Sequence, residues 1–313
     1  MSATPTPTPA IEVRGLAKRY GDRVVLDGID LDVPAGTVLA LLGPNGAGKT
    51  TVVNILSTLV PADGGTARVA GHDVATDPAA VRRSIGVTGQ FAAVDDLLTG
   101  EENIALVGRL LHLPGDELRQ RTADLLDRFG LAAVAADLPG TYSGGMRRRL
   151  DLAMGLVGRP QVLFLDEPTT GLDPRSRRTL WDIVRGLVAD GVTILLTTQY
   201  LEEADQLADR VALLDGGRIA AAGTPAELKR RVPGGRITLS FADPDALDRA
   251  EQLLRPQAVD RPALSLDVTS DGGAATLRDV LARLDAARIP VEELATHSPA
   301  LDDVFLALTE VSR

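Results

Sequence analysis

Residues 43–50 read Gly-Pro-Asn-Gly-Ala-Gly-Lys-Thr, a glycine-rich loop between two regular elements. The apolar run Val38-Leu-Ala-Leu-Leu42 before it predicts a buried strand, and Thr51–Leu56 after it predicts a helix. Glycines let successive backbone N–H groups close around phosphate oxygens at the positive end of such a helix. Lys49 adds a cation, and the Thr50 hydroxyl can ligate Mg²⁺. The stretch therefore predicts a phosphate-binding loop and a nucleoside triphosphate as its ligand.

The alternative is a glycine-rich turn that fits this pattern by chance. Background residue frequencies give the four fixed positions somewhere in a chain of this length with a probability of about 1 %. The flanking strand and helix patterns reduce that probability further. We therefore favour the phosphate-binding loop, although such a loop alone does not name a function.

A second apolar run, Val162–Leu165, ends in the adjacent carboxylates Asp166 and Glu167. One acid at such a strand end can support Mg²⁺, while the next polarises the water that attacks a phosphoryl group. A solvated strand end is the common alternative for an isolated acid pair. Downstream of an intact phosphate-binding loop, the catalytic interpretation is favoured.

Small residues precede a further predicted helix, which covers Arg148–Met154. Ser143, Gly144 and Gly145 form its start, and small residues at a helix start suit an anion. Taken alone, the tripeptide is equally well explained as a helix cap.

These motifs, in this order, resemble the ATP-binding subunits of ABC transporters over about Ile11 to Leu228. The resemblance implies an α/β fold, a P-loop ABC-type nucleotide-binding domain with a parallel sheet core, an antiparallel β subdomain and a helical insert. It implies ATP and Mg²⁺ as ligands and a homodimer that sandwiches two ATP molecules. It also implies a separate integral-membrane permease that holds the chain at the cytoplasmic face of the cell membrane.

The resemblance also assigns roles around the nucleotide. Tyr20 matches the aromatic residue that stacks on adenine. The residues that match the phosphate-binding loop are Gly43, Pro44, Asn45, Gly46, Ala47, Gly48, Lys49, Thr50 and Thr51. Gln90 matches the glutamine that touches Mg²⁺ and senses the membrane partner, and Thr50 and Asp166 match the other metal-binding positions.

The remaining matches concern hydrolysis and assembly. Glu167 matches the catalytic base, and it forms the implied catalytic set with Lys49 and Gln199. The signature that contacts the ATP of the opposite subunit matches Ser143, Gly144 and Gly145, and the loop that crosses the dimer interface contains Asp173.

The chain departs from the usual family pattern at two positions. Met146 stands where the signature usually carries glutamine, and Gln199 stands where most relatives have a histidine that hydrogen-bonds the γ-phosphate. An amide can donate a hydrogen bond but cannot ionise near neutral pH. We therefore expect Gln199 to keep a switch role and to have no proton-relay role. In this glutamine, the signature stretch Tyr142–Leu150 and the tail Leu301–Thr309, the chain resembles the daunorubicin/doxorubicin-resistance branch of drug exporters.

Composition excludes several other classes of function. The formal net charge of −10 disfavours a nucleic-acid-binding surface. The chain has no cysteine, and its three histidines lack metal-type spacing. No apolar run approaches the ~20 residues needed to cross a bilayer. The run Arg147–Arg149 is the basic exception: its position in the first turn of the signature helix predicts interface or phosphate contacts, with a solvated face as the alternative.

The predicted domains are a disordered tail at 1–10, the nucleotide-binding domain at 11–231 and an accessory α+β domain at 232–313. A helical subdomain covers about 91–158, with a capping box at Thr99–Glu102. The accessory domain has predicted strands and helices in alternation, at Ile237–Phe241, Asp245–Arg255, Leu264–Thr269, Ala275–Ala287, Val291–Thr296 and Leu301–Glu310. It carries no glycine-rich loop or acid pair, so packing, or docking to the permease, is its expected role.

Two other classes of function compete with the exporter. A non-transport ABC ATPase that acts as a mechanical switch usually carries two nucleotide domains, whereas this chain has one phosphate-binding loop and one signature. A regulatory ATP-binding module without turnover is disfavoured by the intact Glu167. The cargo stays open between a drug or antibiotic, a lipid, a polysaccharide and sodium.

Overall fold

The computed structural model describes residues 9–90, 92–230, 235–270 and 273–297, together with Leu301 and Val304. The chain divides into two compact units between Ala222 and Gly223, earlier than the predicted boundary at 231. Thr224 already begins a new element there, because its side chain and that of Glu227 form a capping box.

Most of the predicted tail lies outside the described residues, but its last residue is ordered. Ala10 donates to the Val33 carbonyl oxygen at 2.8 Å and accepts from the Ala70 N–H at 2.7 Å. These two bonds correct the prediction that disorder extends through residue 10.

The strands of the first unit are β1 (Ile11–Tyr20), β2 (Arg23–Val33), β3 (Val38–Leu42), β4 (Gly64–Val69), β5 (His72–Asp73), β6 (Ile85–Thr88), β7 (Val162–Asp166), β8 (Thr193–Thr198), β9 (Arg210–Asp215) and β10 (Arg218–Gly223). Its helices are α1 (Lys49–Leu56), α2 (Pro78–Ser84), α3 (Gly100–Leu110), α4 (Gly115–Arg128), α5 (Gly144–Gly155), α6 (Pro174–Ala189) and α7 (Leu201–Leu207).

A four-stranded antiparallel sheet in the order β2-β1-β4-β5 begins this unit. The predicted pair of antiparallel strands around Gly21 and Asp22 corresponds to β1 and β2. Alternation along β1 buries Ile11 and Val13, and β4 contributes Ala67 and Val69 to the same core. The antiparallel β subdomain is therefore present.

The central sheet has the strand order β10-β9-β3-β8-β7-β6. The pairs that join β9, β3, β8, β7 and β6 are all parallel, as predicted. Every residue of β3, β7 and β8 is buried. Their apolar residues therefore run consecutively (Val38–Leu42, Val162–Leu165 and Ile194–Leu196) rather than in alternation. Leu42 pairs with Thr198, and Asp166 pairs with Thr197, so these three strands end at one edge.

The helical insert consists of α3, α4 and α5. The predicted capping box begins α3, since the Glu102 N–H donates to Thr99 Oγ1 and the Thr99 N–H donates to Glu102 Oε2. Buried Ile104, Leu125 and Leu150 from the three helices share one core with Leu163 and Leu165 of β7. This shared core holds α5, which carries the predicted signature, against the central sheet.

The second unit contains α8 (Pro225–Lys229), β11 (Gly235–Ser240), α9 (Pro244–Leu254), β12 (Ala258–Asp260), β13 (Ser265–Ser270), α10 (Ala274–Ala286) and β14 (Glu293–His297). Its strands form an antiparallel sheet in the order β12-β13-β11-β14. Ile237, Leu247 and Leu284 lie in its core, so a small α+β domain is present as predicted. The predicted helix at 301–310 lies outside the described residues except for Leu301 and Val304, which are helical and buried.

Candidate active site

A cleft of about 440 Å³ lies beside the end of β3 and the start of α1. Its lining brings together Tyr20, Asn45, Gly46, Gly48, Lys49, Thr50, Thr51, Gln90 and Glu167, all of which the sequence predicted, with Arg23 and Val25, which it did not. The cleft therefore joins residues from β1, β2, the phosphate-binding loop and the ends of β6 and β7.

The phosphate-binding loop requires glycine where the chain turns into α1. Gly48 has φ +109°, and a Cβ on it would lie 2.8 Å from Leu26 Cδ2. Gly48 also precedes the first turn of α1 without any side-chain cap, so N–H groups of that turn are left for a ligand anion. A second glycine, Gly43, passes so close to β9 that a Cβ would lie 2.4 Å from the Leu214 carbonyl oxygen.

We expect Gly48→Ala to weaken ATP binding by about tenfold or more, because the strain and the contact with Leu26 displace the loop N–H groups. Gly115→Ala is the matched control, since its added Cβ meets nothing within 4 Å. Titration with a fluorescent ATP analogue, alongside thermal unfolding of each protein, measures the effect. Equal affinity of the two variants for the ATP analogue would contradict the proposed role of the loop N–H groups in phosphate binding.

The buried pair Lys49 and Glu167 forms the polar centre of the cleft. Lys49 is 4 % exposed, and its Nζ donates to the carbonyl oxygens of Gly43 at 2.8 Å and Pro44 at 3.2 Å. The same Nζ lies 3.3 Å from Glu167 Oε1, and Gln90 Nε2 donates to Glu167 Oε2 at 3.4 Å. The carboxylate is thus held between an ammonium group and an amide.

Thr197, which the sequence did not single out, organises the end of β7. Its hydroxyl donates to Asp166 Oδ1, and it also accepts from the Glu167 N–H at 3.1 Å. The Glu167 N–H bonds to the Thr197 carbonyl oxygen as well, at 3.0 Å. Asp166 is buried and does not line the cleft, whereas Glu167 does, so the two predicted acids differ in their access to it.

The predicted signature and Asp173 lie together, away from this cleft. Ser143 Oγ accepts from the Met146 N–H at 3.2 Å and caps α5. Asp173 caps α6 and accepts from the Ser176 hydroxyl at 2.6 Å, and a Cβ on Gly145 would lie 2.4 Å from that hydroxyl oxygen. The structure therefore joins Gly145 to Asp173 through Ser176, and it does not bring either to the phosphate-binding loop of the same chain.

Gln199 follows the last residue of β8, is exposed, and does not line the cleft. Its neighbours are held: the Tyr200 N–H donates to Thr198 Oγ1 at 2.9 Å, and the Arg177 guanidinium lies 5.7 Å from the centre of the Tyr200 ring. The residues on both sides of Gln199 thus share a hydrogen bond, while Gln199 itself is exposed.

The arginine run contacts its own chain, which overturns the alternative of a solvated face, while the interface or phosphate contacts stay a prediction. Arg147 donates to the Pro139 carbonyl oxygen at 3.2 Å and pairs with Asp96. Arg149 donates to the Phe129 carbonyl oxygen at 2.7 Å. Arg148 is 7 % exposed and makes the most buried contacts of the run. Single-sequence patterns assign charge runs to the surface, so this burial was not predictable from the run itself.

Within the part of the chain that the structure describes, no helix combines the length and apolar character needed to cross a membrane.

Comparison with known proteins places this site in a family. The sequence family described as ABC transporter matches residues 26–170. The chain is 50 % identical to the daunorubicin/doxorubicin resistance ATP-binding protein of Streptomyces peucetius, over 97 % of this chain and 93 % of that protein. It is 49 % identical to the doxorubicin resistance ATP-binding protein of Mycobacterium tuberculosis, over 96 % and 93 %.

A solved structure of the ATP-binding subunit of an ABC transporter superimposes with a TM-score of 0.64 at 29 % identity, over 71 % of this chain and 92 % of that one. The two relatives match nearly the whole chain, and the solved structure shares its fold. The chain belongs to the ABC transporter family and is one of its ATP-hydrolysing subunits.

Proposed function

We propose that this chain powers the export of a drug or antibiotic through a separate membrane permease, by hydrolysing ATP at the cleft around Lys49 and Glu167. One observation carries the chemistry: the Glu167 carboxylate is buried between Lys49 and Gln90 beside a complete phosphate-binding loop. The class of cargo is supported by the names of the two relatives described above, which refer to daunorubicin and doxorubicin resistance.

ATP fits the cleft residue by residue. Tyr20 lines the cleft and is 48 % exposed, so it can stack on adenine. Arg23 also lines the cleft and donates to the Gly46 carbonyl oxygen at 3.4 Å. The N–H groups at the start of α1 bind the β- and γ-phosphates, and Lys49 adds its charge to them.

The cleft suits a magnesium ion that is coordinated by both protein and phosphate oxygens. No group of three or more acidic or histidine side chains suited to a metal occurs among the described residues. Mg²⁺ bound with a nucleotide usually takes only one or two protein ligands and completes its shell with phosphate oxygens and water. The Thr50 hydroxyl and the Gln90 amide oxygen would supply such ligands in the cleft, and buried Asp166 would support the ion at the end of β7. Bound there, Mg²⁺ neutralises phosphate charge.

Glu167 acts as the base that accepts a proton from the attacking water. A γ-phosphate within reach of Lys49 competes with Glu167 for the same ammonium group, which now lies 3.3 Å from Glu167 Oε1. Released from Lys49, the Glu167 carboxylate accepts a hydrogen bond from the water. Gln90 orients the carboxylate through the contact between Gln90 Nε2 and Glu167 Oε2.

A second copy of the chain completes the site. Ser143 and Gly145 do not line the cleft of their own chain, so a homodimer brings them to the ATP of the partner, with Asp173 at the interface. ATP binding closes this dimer, and hydrolysis with product release reopens it. The permease holds the pair at the cytoplasmic membrane face, and the second unit serves in docking. The net charge of −10 gives no reason to include a nucleic acid among the partners.

Phosphate release tests the ATPase against a regulatory module. The 313-residue chain, assembled with its proposed permease partner, should release phosphate steadily from ATP and Mg²⁺. Tight ATP binding without any phosphate release would contradict the proposal and favour the regulatory module.

We propose that Gln199 donates to the γ-phosphate in the closed dimer. Gln199→Ala should then slow single-turnover hydrolysis by removing one hydrogen bond to a charged group, a loss of about 1.5–3 kcal/mol. Gln199→His should retain much of the activity and acquire a pH dependence between about pH 5 and 8, where imidazole titrates and an amide does not. The measurement is the pH profile at saturating ATP. An alanine variant that equals wild type at every pH would exclude Gln199 as the γ-phosphate sensor.

A further inference from the structure

Arg148 on α5 is buried among backbone carbonyl groups from two other segments of the site. Its Nε donates to the Pro168 carbonyl oxygen at 2.8 Å, and its Nη2 donates to the Asp166 carbonyl oxygen at 3.3 Å. Its Nη1 donates to the Gly89 carbonyl oxygen at 2.6 Å. One planar guanidinium therefore holds the carbonyl groups on both sides of Glu167 and the one directly before Gln90.

Asp151, one turn further along α5, completes the arrangement. Its Oδ2 accepts from Arg148 Nη1 at 3.1 Å, and its Oδ1 accepts from the Ala93 N–H at 2.9 Å. The pair thus bonds to the backbone on both sides of Gln90, at Gly89 and at Ala93.

Burial makes the two side chains dependent on each other. Arg148 is 7 % exposed and Asp151 is 4 % exposed. Desolvation lowers the pKa of Arg148 and raises the pKa of Asp151, so the charged form of each is maintained by its partner and by its hydrogen bonds.

We propose that Arg148, together with Asp151, is a positioning unit for ATP hydrolysis, which fixes Gln90 and Glu167 relative to α5 and its Ser143 cap. The proposal rests on the roles proposed above for those three residues. Because α5 begins at Ser143 and carries Arg148 in its second turn, a shift of this helix on contact with the partner's ATP moves the backbone beside Glu167 and Gln90 with it. Arg148 touches none of the reacting groups, and it acts through the residues it holds.

The neighbouring Arg149 provides a matched control on the same helix. Its Nη1 donates to the carbonyl oxygens of Phe129 at 2.7 Å and Gly130 at 3.5 Å, and its Nε donates at 3.4 Å to the carbonyl oxygen of Gly145, one turn earlier in α5. None of these acceptors adjoins Gln90 or Glu167 in the chain. Desolvation lowers the pKa of Arg149 as it does that of Arg148. The two arginines thus share helix, charge and partial burial but bind different segments.

The test compares Arg148→Lys, Asp151→Asn and Arg149→Lys in the full-length chain assembled with its permease. A lysine keeps the charge but cannot span carbonyl groups from two segments, and misplacement of catalytic groups by about 1 Å can cost 10²-fold. We expect Arg148→Lys to lower kcat by about tenfold or more, with the KM for ATP within about twofold of wild type. Asp151→Asn should lower kcat severalfold, also without a change in KM, and Arg149→Lys should leave both constants unchanged.

A double-mutant cycle separates positioning from general loss of structure. If Arg148 acts through Gln90, the combined Gln90→Ala and Arg148→Lys variant should lose little more kcat than the worse single variant. Additive losses, or an equal loss in Arg149→Lys, would overturn the proposal. If Arg148→Lys does not fold, Asp151→Asn decides by the same criteria.

A Glu167→Gln control separates failure of the positioning unit from failure of the proposed catalytic base. Wild-type kcat in Arg148→Lys and Asp151→Asn with inactive Glu167→Gln would overturn the positioning unit and leave the proposed function standing. Wild-type kcat in Glu167→Gln would overturn the proposed catalytic base and this inference together.

Discussion

Replacement of Glu167 by glutamine is expected to abolish phosphate release while ATP still binds. The amide keeps the size of the carboxylate and can still contact Gln90, but it cannot accept a proton from water. Loss of a positioned general base typically costs about 10²- to 10⁴-fold in rate. Single-turnover phosphate release and the Kd for ATP, measured on the same protein, separate chemistry from binding.

Two further variants control this experiment. Glu101→Gln removes an exposed carboxylate from the first turn of α3 and should leave phosphate release unchanged. Lys49→Ala should instead weaken ATP binding itself, because it removes the buried cation of the phosphate-binding loop. Phosphate release at the wild-type rate by Glu167→Gln would contradict the assignment of this residue as the base.

Replacement of Ser143 by arginine is expected to prevent ATP-dependent dimerisation. ATP and Mg²⁺ should convert the Glu167→Gln protein from monomer to dimer, because this variant binds ATP without consuming it. Ser143→Arg in the same background places bulk and an unpaired charge where the proposed interface closes, and an uncompensated buried charge typically costs about 3–5 kcal/mol. Light scattering with and without ATP-Mg²⁺ measures the change.

Ala275→Arg is the matched control for the added charge. Ala275 is exposed on α10 in the second unit, so its arginine variant should dimerise as the parent does. Monomers of the parent under all conditions, even with the permease present, would speak for the regulatory module instead of the ATP sandwich.

Local patterns were sufficient to predict the elements around the nucleotide. The apolar runs of β3 and β7, and the phosphate-binding loop between β3 and α1, lie where the sequence placed them. Such runs predict fully buried parallel strands, because side chains on both faces must be apolar. The loop glycines are also predictable from local sequence, because the backbone angles of the loop require glycine at those positions.

Contacts between distant segments were not predictable in this way. Thr197 meets Asp166 only because β7 and β8 pair in one particular register, which the sequence of either strand does not contain. The alternative for Arg148 as a solvated residue was wrong because its partners are carbonyl groups of Gly89, Asp166 and Pro168, and backbone acceptors leave no mark in a sequence. The domain boundary was placed late because glycine and proline at 233–235 stand out more than the capping box at Thr224.

The proposed export depends on ATP hydrolysis at this cleft. Its most direct test is uptake of doxorubicin into inverted membrane vesicles that contain the full-length chain and its permease. With ATP and Mg²⁺, vesicles with the wild-type chain should accumulate the drug, and vesicles with Glu167→Gln should not. Equal accumulation by the two, or steady phosphate release by the wild type without any accumulation, would contradict the account.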